Sequence, residues 1–301
     1  MIRRALLSVG VLALLAMGQP PPPDTTVTLS YGGVVRDAIV HLPIGYQAAA
    51  KPPLLIVLHG SGETAASIKT LSNFNSIADA NVFVVAYPDS VGPQWVLNEP
   101  PNGGDLGFVA ALIGDLRSSY NISQVYLAGY SDGGLMAQLV ALCEPGLVQG
   151  IGLVEAGYAS FMSACHGAIP PIPVIAFRGT ADTLFPYAGG TIRGGWTVDS
   201  AADSQAQWQA IDGCASAVPV ASTRSDAMNS APSTTVTDTL ESASCGNVAV
   251  QYWSGPWGHT WPGSATPVNA KDYLGDSLGP TSLDLAASQL IWQALRSPPP
   301  N

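Results

Sequence analysis

The sequence predicts an α/β fold: a mostly parallel, doubly wound sheet with an antiparallel edge at its N-terminal side. Three observations predict it. Short apolar runs at 54–58, 82–86, 125–128, 151–154 and 174–177 have the length and composition of strands buried on both faces. Stretches with apolar residues three or four apart, at 67–80, 107–120 and 135–142, lie between them, the alternation of a parallel sheet with helices on both faces. Ahead of these, 27–31 and 34–42 read as a hairpin joined at Gly32-Gly33.

The remaining elements follow in order. Helices are expected over 200–211 and 281–295, with a final strand over 248–253 before the last of them. The mixed stretch 218–233, rich in Ser, Thr, Ala and Asp, is expected as an excursion from the fold. No internal repeat or composition shift divides the chain, so one domain is expected over 26–297, with a Pro-rich leader at 19–25 and a tail at 298–301.

Residues 1–18 carry a basic start (Arg3, Arg4), an uncharged apolar run and small residues at Ala16 and Gly18. This is the pattern of a signal peptide, and the apolar run is too short for a permanent anchor. Export to the periplasm or medium is therefore expected, with no stable membrane anchor. Loss of Arg3 and Arg4 with that segment takes the formal charge from −10 to −12. So acidic a chain offers no basic stripe, which excludes nucleic acid as a partner. Four cysteines in an exported chain point to disulfides. Three pairings are possible, of which Cys143 with Cys165 and Cys214 with Cys245 are the local ones. If the second forms, 218–233 is a stapled surface loop. No Cys or His spacing suggests a metal site.

The most informative segment is Gly129-Tyr130-Ser131-Asp132-Gly133, which follows a strand-like run and opens a helix. A serine hydroxyl attacks a carbonyl only if it stands clear of the backbone. A sharp strand-to-helix turn presents it, and glycines on either side avoid the clashes of that turn. Ser131 is thus the candidate nucleophile of an α/β-hydrolase fold. The Asp132 N–H, at the helix start, is a candidate oxyanion donor, joined by the Ser61 N–H from Leu58-His59-Gly60-Ser61-Gly62.

In this fold the partners follow the serine in the order acid, histidine. Of the four histidines, His41 and His59 precede Ser131, and His166 lies beside Cys165 in an expected loop. His259 follows the final strand, where a general base belongs. Asp182, just past the strand at 174–177, is the candidate acid that orients the imidazole. His59 is expected to be structural.

With these residues in place the chain resembles the bacterial polyhydroxybutyrate depolymerases, which are similar to feruloyl and acetylxylan esterases. The resemblance rests on Leu58-His59-Gly60-Ser61-Gly62, Tyr87-Pro88-Asp89-Ser90 with Trp95, Asp105-Leu106-Gly107-Phe108, and the segment from Gly129 to Gly134. It continues through Gly179-Thr180-Ala181-Asp182 with Pro186-Tyr187, and is most specific at Gly258-His259-Thr260-Trp261-Pro262-Gly263. It implies an extracellular carboxylic ester hydrolase without a cofactor, and a disulfide just ahead of the histidine loop, matching Cys214 with Cys245. Two departures stand out. Arg178 replaces the histidine common before the acid loop, and Glu155 follows a strand that is plainly apolar elsewhere. Glu155 is expected to line the site or pair with Arg178. Trp95, Tyr130, Glu155, Trp257 and Trp261 are the candidate substrate-binding residues.

Three functions are consistent with this reading: hydrolysis of hydroxyalkanoate esters, the main expectation; hydrolysis of feruloyl or acetyl esters of plant cell walls; and non-catalytic binding of a carbohydrate or polymer. No Thr-rich linker or added binding module is visible, which favours soluble oligomers and small esters over insoluble polymer.

Overall fold

The computed structural model describes residues 24–98, 103–165, 168–214, 228–229 and 238–296. The expected signal peptide (1–18), most of the 19–25 leader, the 298–301 tail and nearly all of the 218–233 excursion lie outside the described residues, as does His166.

One nine-stranded sheet organises the chain. In chain order its strands are β1 (Thr25–Tyr31), β2 (Val34–His41), β3 (Leu54–Leu58), β4 (Val84–Pro88), β5 (Val125–Tyr130), β6 (Ile151–Val154) and β7 (Val174–Gly179); the short pair β8 (Gly190–Thr191) and β9 (Thr197–Val198) stands apart, and β10 (Thr239–Cys245) and β11 (Val248–Gly255) complete the sheet. The spatial order is β1-β2-β4-β3-β5-β6-β7-β11-β10. From β4 to β11 all pairings are parallel, whereas β1, β2 and β10 are antiparallel. The antiparallel N-terminal edge is as the sequence predicts. The second antiparallel edge, β10, is not, because its Thr, Ser and Glu residues give no apolar run.

The helices are α1 (Ala65–Ser72), α2 (Phe74–Asn81), α3 (Gly104–Tyr120), α4 (Asp132–Cys143), α5 (Ala201–Ile211) and α6 (Ala287–Arg296). Alternate residues of β3 show how they cover the sheet. Leu54, Ile56 and Leu58 face the cluster with Phe108 of α3, Leu135 of α4 and Trp208 of α5; Leu55 and Val57 face Ile68 of α1, Phe74 of α2 and Ile291 of α6. A strand buried on both faces has no polar alternation, and every residue of β3 to β7 is buried. The expected helix over 67–80 is split at Asn73, which takes a left-handed conformation (φ 51°). The last helix begins at Ala287, six residues later than its periodicity suggests. Both local disulfides are present, Cys143–Cys165 and Cys214–Cys245. Among the described residues no helix is long and apolar enough to cross a membrane.

Register decides where the chain's reactive groups meet. Leu58 of β3 pairs with Gly129 of β5, Tyr130 with Val154 of β6, Val154 with Phe177 of β7, and Gly179 with Gly255 of β11. The loops carrying Ser61, Ser131, Glu155, Asp182 and His259 therefore leave one edge of the sheet side by side. This carboxyl-end edge is where ligands bind in open α/β sheets.

Candidate active site

Ser131 sits between β5 and α4 with φ 54° and ψ −121°, a conformation L-residues rarely adopt. The turn is so tight that a Cβ at Gly129 would lie 2.2 Å from the Gly133 carbonyl oxygen. One at Gly133 would lie 2.4 Å from the carbonyl oxygens of Leu58 and His59. Both positions need glycine, which is why the motif spaces them around the serine. The Ser131 N–H donates to the Val154 carbonyl (2.8 Å), locking the turn to the neighbouring strand.

Ser131 Oγ lies 2.8 Å from His259 Nε2, and His259 Nδ1 lies 2.7 Å from Asp182 Oδ2. The second oxygen of Asp182 accepts the N–H groups of Leu184 (2.8 Å) and Phe185 (2.9 Å), so the carboxylate is aimed by its own loop. Burial alone would raise Asp182, but the imidazole beside it, its hydrogen bond to His259 and the Phe185 N–H hold it below the usual carboxylate range. The histidine is packed as well as bonded. Phe185 stacks on its ring at 5.3 Å, and the Tyr130 hydroxyl donates to its carbonyl oxygen at 2.6 Å. The structure brings together the three residues the sequence singled out.

The oxyanion candidates flank the serine. Asp132 opens α4, so its N–H is among the four that a helix leaves unpaired at its start. Ser61 lies on the loop after β3 and lines the same cleft. The Asp132 carboxylate accepts the Trp95 N–H (2.8 Å), and the nearby Ser61 hydroxyl also favours its charged form. Burial pushes the Asp132 carboxyl up to about 6, against those two donors.

The cleft in front of the serine has a volume of about 1020 Å³. Trp95 and Tyr130 line it, as the sequence reading expects. Glu155, Trp257 and Trp261 do not, and here the expectation is corrected. All three are buried away from the cleft: on the histidine loop itself, Trp261 donates to Ser288 Oγ (2.9 Å), and Trp257 donates to Glu155 Oε1 (2.5 Å). The aromatic-rich loop is one buried anchor rather than a stacking surface. Nor does Glu155 form an ion pair with Arg178. The Arg178 guanidinium instead donates to the carbonyls of Phe185 (3.3 Å) and Pro186 (3.2 Å), bracing the acid loop.

Other cleft residues were not read from the sequence. Glu63 accepts the Gly60 N–H (3.0 Å), and burial raises its carboxyl. Arg193 and Trp196 come from the β8–β9 excursion, and Tyr273 from a long irregular segment. None of these carries a periodic or motif signal. His59 is structural as expected: it bonds the Gly60 carbonyl (2.8 Å), accepts from the Ser90 N–H (3.2 Å) and packs on Trp95, and burial lowers it. His41 sits far off between Asp24 (2.8 Å) and Asp79 (3.1 Å).

Among the described residues, one cluster has enough ligating groups for a metal ion: Glu155, Asp182 and His259. Both imidazole nitrogens there are already engaged, one by Asp182 and one by the Ser131 hydroxyl, which leaves none for an ion.

Comparison with known proteins bears on the fold and the class of enzyme. No protein-family model matches the chain. In sequence it is 30% identical over 194 residues to NocK of Nocardia uniformis subsp. tsuyamanensis, a protein assigned as an esterase; the match covers 60% of this chain and 56% of that one. It is 31% identical over 135 residues to feruloyl esterase B of Neurospora crassa, covering 42% of this chain and 45% of that one. The chain thus spans about half the length of these curated relatives. In structure it superimposes on an acetyl xylan esterase from Aspergillus awamori with a TM-score of 0.58 at 18% identity, covering 79% of this chain and 94% of that one. The chain has the α/β-hydrolase fold, and the resemblance read from its motifs is borne out at the level of esterases, on its feruloyl and acetylxylan side and not on its polyhydroxybutyrate depolymerase side.

Proposed function

We propose that the chain is a serine esterase that hydrolyses carboxylic esters by two-step acyl transfer. The observation that carries this reading is the continuous relay from the Ser131 hydroxyl through His259 to Asp182, at 2.8 and 2.7 Å, facing an open cleft. In the first step Ser131 Oγ attacks the ester carbonyl carbon as His259 Nε2 takes its proton. Asp182 holds the imidazole in the required tautomer and steadies the imidazolium. The carbonyl oxygen, now negative, takes hydrogen bonds from the Ser61 and Asp132 N–H groups. His259 passes its proton to the departing alkoxide. Water then attacks the acyl-serine by the same route, releasing the acid and restoring Ser131.

For substrate we assign the feruloyl and acetyl esters of plant cell-wall polysaccharide over the hydroxyalkanoate esters. Of the proteins named above, one is a feruloyl esterase and one an acetyl xylan esterase, while NocK carries no named substrate, and Trp95, Phe185 and Trp196 on the cleft wall suit a planar acyl group. Trp95 and Tyr130 are assigned to substrate contact. We read the chain as exported and as one catalytic domain over 26–297; the signal-like pattern at its start and its two disulfides support export.

The test is a hydrolysis panel of methyl ferulate, acetylated xylan and hydroxybutyrate trimer, run beside Ser131→Ala. Turnover of the first two is expected, with a loss of ~10⁴-fold or more in the variant. Parent-like turnover in Ser131→Ala overturns the nucleophile. Preference for the trimer overturns the substrate assignment. An active-site phosphonate that fails to label Ser131 supports the non-catalytic reading instead.

A further inference from the structure

Glu155 is a fully buried carboxyl that the reaction above does not use. It follows β6 directly, held by its own N–H to the Phe177 carbonyl (2.9 Å), with φ 51° at a non-glycine position. A left-handed residue at a strand end costs on the order of 1 kcal/mol or more and persists only where the surroundings hold it. Its two oxygens take the Gly179 N–H (3.1 and 2.9 Å) and the Trp257 indole N–H. Those donors come from the end of the acid strand and the start of the histidine loop, so one side chain ties both together. The ligating atoms of Glu155, Asp182 and His259 all lie within 4.8 Å of one another.

Two charged carboxylates this close, both shut away from water, would repel each other strongly, so one of the pair is held neutral. We infer that Glu155 is a positioning residue that keeps its proton at working pH, tying the end of the acid strand to the histidine loop without setting a second negative charge beside Asp182. The inference rests on the triad reading above and deepens it. The groups facing Glu155 agree on which partner is ionised. Burial and the neighbouring Asp182 drive the Glu155 carboxyl well above the ordinary range, and Arg178 and the Gly179 N–H only partly oppose this. Asp182 has the imidazole and two backbone donors on its side and is held low. Tyr130, the other titratable neighbour, is pushed up by its own burial and by the acids around it, Glu63 first, so it is neutral as well. The proton does not move during the reaction. Its work is to leave Asp182 the one negative charge beside His259 while the Glu155 oxygens hold Gly179 and Trp257 in place.

The experiment compares Glu155→Leu, Glu155→Gln and the parent on methyl ferulate and nitrophenyl acetate. Active sites are counted by phosphonate titration, and Ser131→Ala runs alongside. The leucine removes the tie between Gly179 and Trp257, and kcat per titrated site should fall on the order of 10- to 100-fold with KM little changed. The glutamine amide reproduces a protonated carboxyl, with one acceptor and one donor group, and should return kcat to within about threefold of the parent. Its acid limb in the pH profile of kcat/KM should coincide with the parent's, because no charge has been removed. The parent-minus-glutamine infrared difference spectrum should show a protonated carboxyl band.

An undiminished kcat per titrated site in Glu155→Leu overturns the inference. So does an acid limb in Glu155→Gln displaced downward by half a pH unit or more, or the absence of the infrared band. If the leucine variant does not fold, the glutamine profile and spectrum still decide. Activity retained in Ser131→Ala would instead overturn the esterase mechanism, so the two failures are distinct.

Discussion

Ser131 holds a backbone conformation (φ 54°, ψ −121°) that glycine adopts freely and serine does not. Strain of this kind is a cost borne for presentation of the hydroxyl. Ser131→Gly should therefore abolish esterase activity while raising stability by on the order of 1 kcal/mol, read as a higher urea midpoint at unchanged slope. A lower midpoint would mean that the hydrogen bond to His259, not the backbone, dominates the energetics of the turn. Ser131, Asp182 and His259 were legible in the sequence because each ends a recognisable strand in the expected order. Glu155, Trp257 and Trp261 were named from the same loops, but their role was not legible. Whether a side chain beside the site faces the cleft or the core depends on what packs behind it, here the contacts of the Trp257 and Trp261 indoles with Glu155 and Ser288.

Among the elements, α5 shows a local conflict. It ends at Asp212, whose carboxyl is buried at a helix C-terminus, where the helix dipole disfavours negative charge. One oxygen accepts the Ile172 N–H at 3.3 Å, and the other has no partner among the described residues. Burial raises this carboxyl to about 7 from 3.8. A folded-state value above the unfolded one means that folding takes up a proton across that window. Stability is then fullest below about pH 4, declines as pH rises, and carries the whole cost above about pH 7. Asp212→Asn keeps the acceptor and removes the charge. It should match the parent near pH 4 and exceed it at pH 8 by on the order of 2–4 kcal/mol, at about 1.4 kcal/mol per unit. Parallel stability curves for the two proteins across pH 4–8 would show that Asp212 titrates normally. Other elements departed from their patterns for equally local reasons. Asn73 breaks one amphipathic stretch into α1 and α2 because its left-handed backbone redirects the chain, something hydrophobic spacing cannot register.

Over the whole molecule, the parallel core was legible because its strands are apolar throughout. The cleft in front of it was not, because its far wall is built from irregular chain. Gly62 packs so closely on Tyr273 that a Cβ there would lie 2.3 Å from the ring, and Gln94 donates to the Tyr273 hydroxyl at 3.1 Å. The segment carrying Tyr273 is held from the other side by Arg193, which bonds Asp272 (2.5 Å) and Asp276 across a sequence distance of about 80 residues. No local rule predicts a contact of that kind. The pairs are partly exposed, so they contribute little to global stability, yet they fix one wall of the cleft. Arg193→Ala should leave Tm within about 2 °C of the parent and kcat within about twofold. It should raise KM several-fold for methyl ferulate and leave KM for nitrophenyl acetate unchanged, because only the bulky ester reaches that wall. Salt supplies the internal control. Raising ionic strength from about 0.01 to 1 M shrinks the screening length from about 30 to 3 Å. The parent's KM for the ferulate should then climb toward the variant's, which stays flat. A KM that responds equally in both proteins, or for both esters, would place the ion pairs outside substrate recognition.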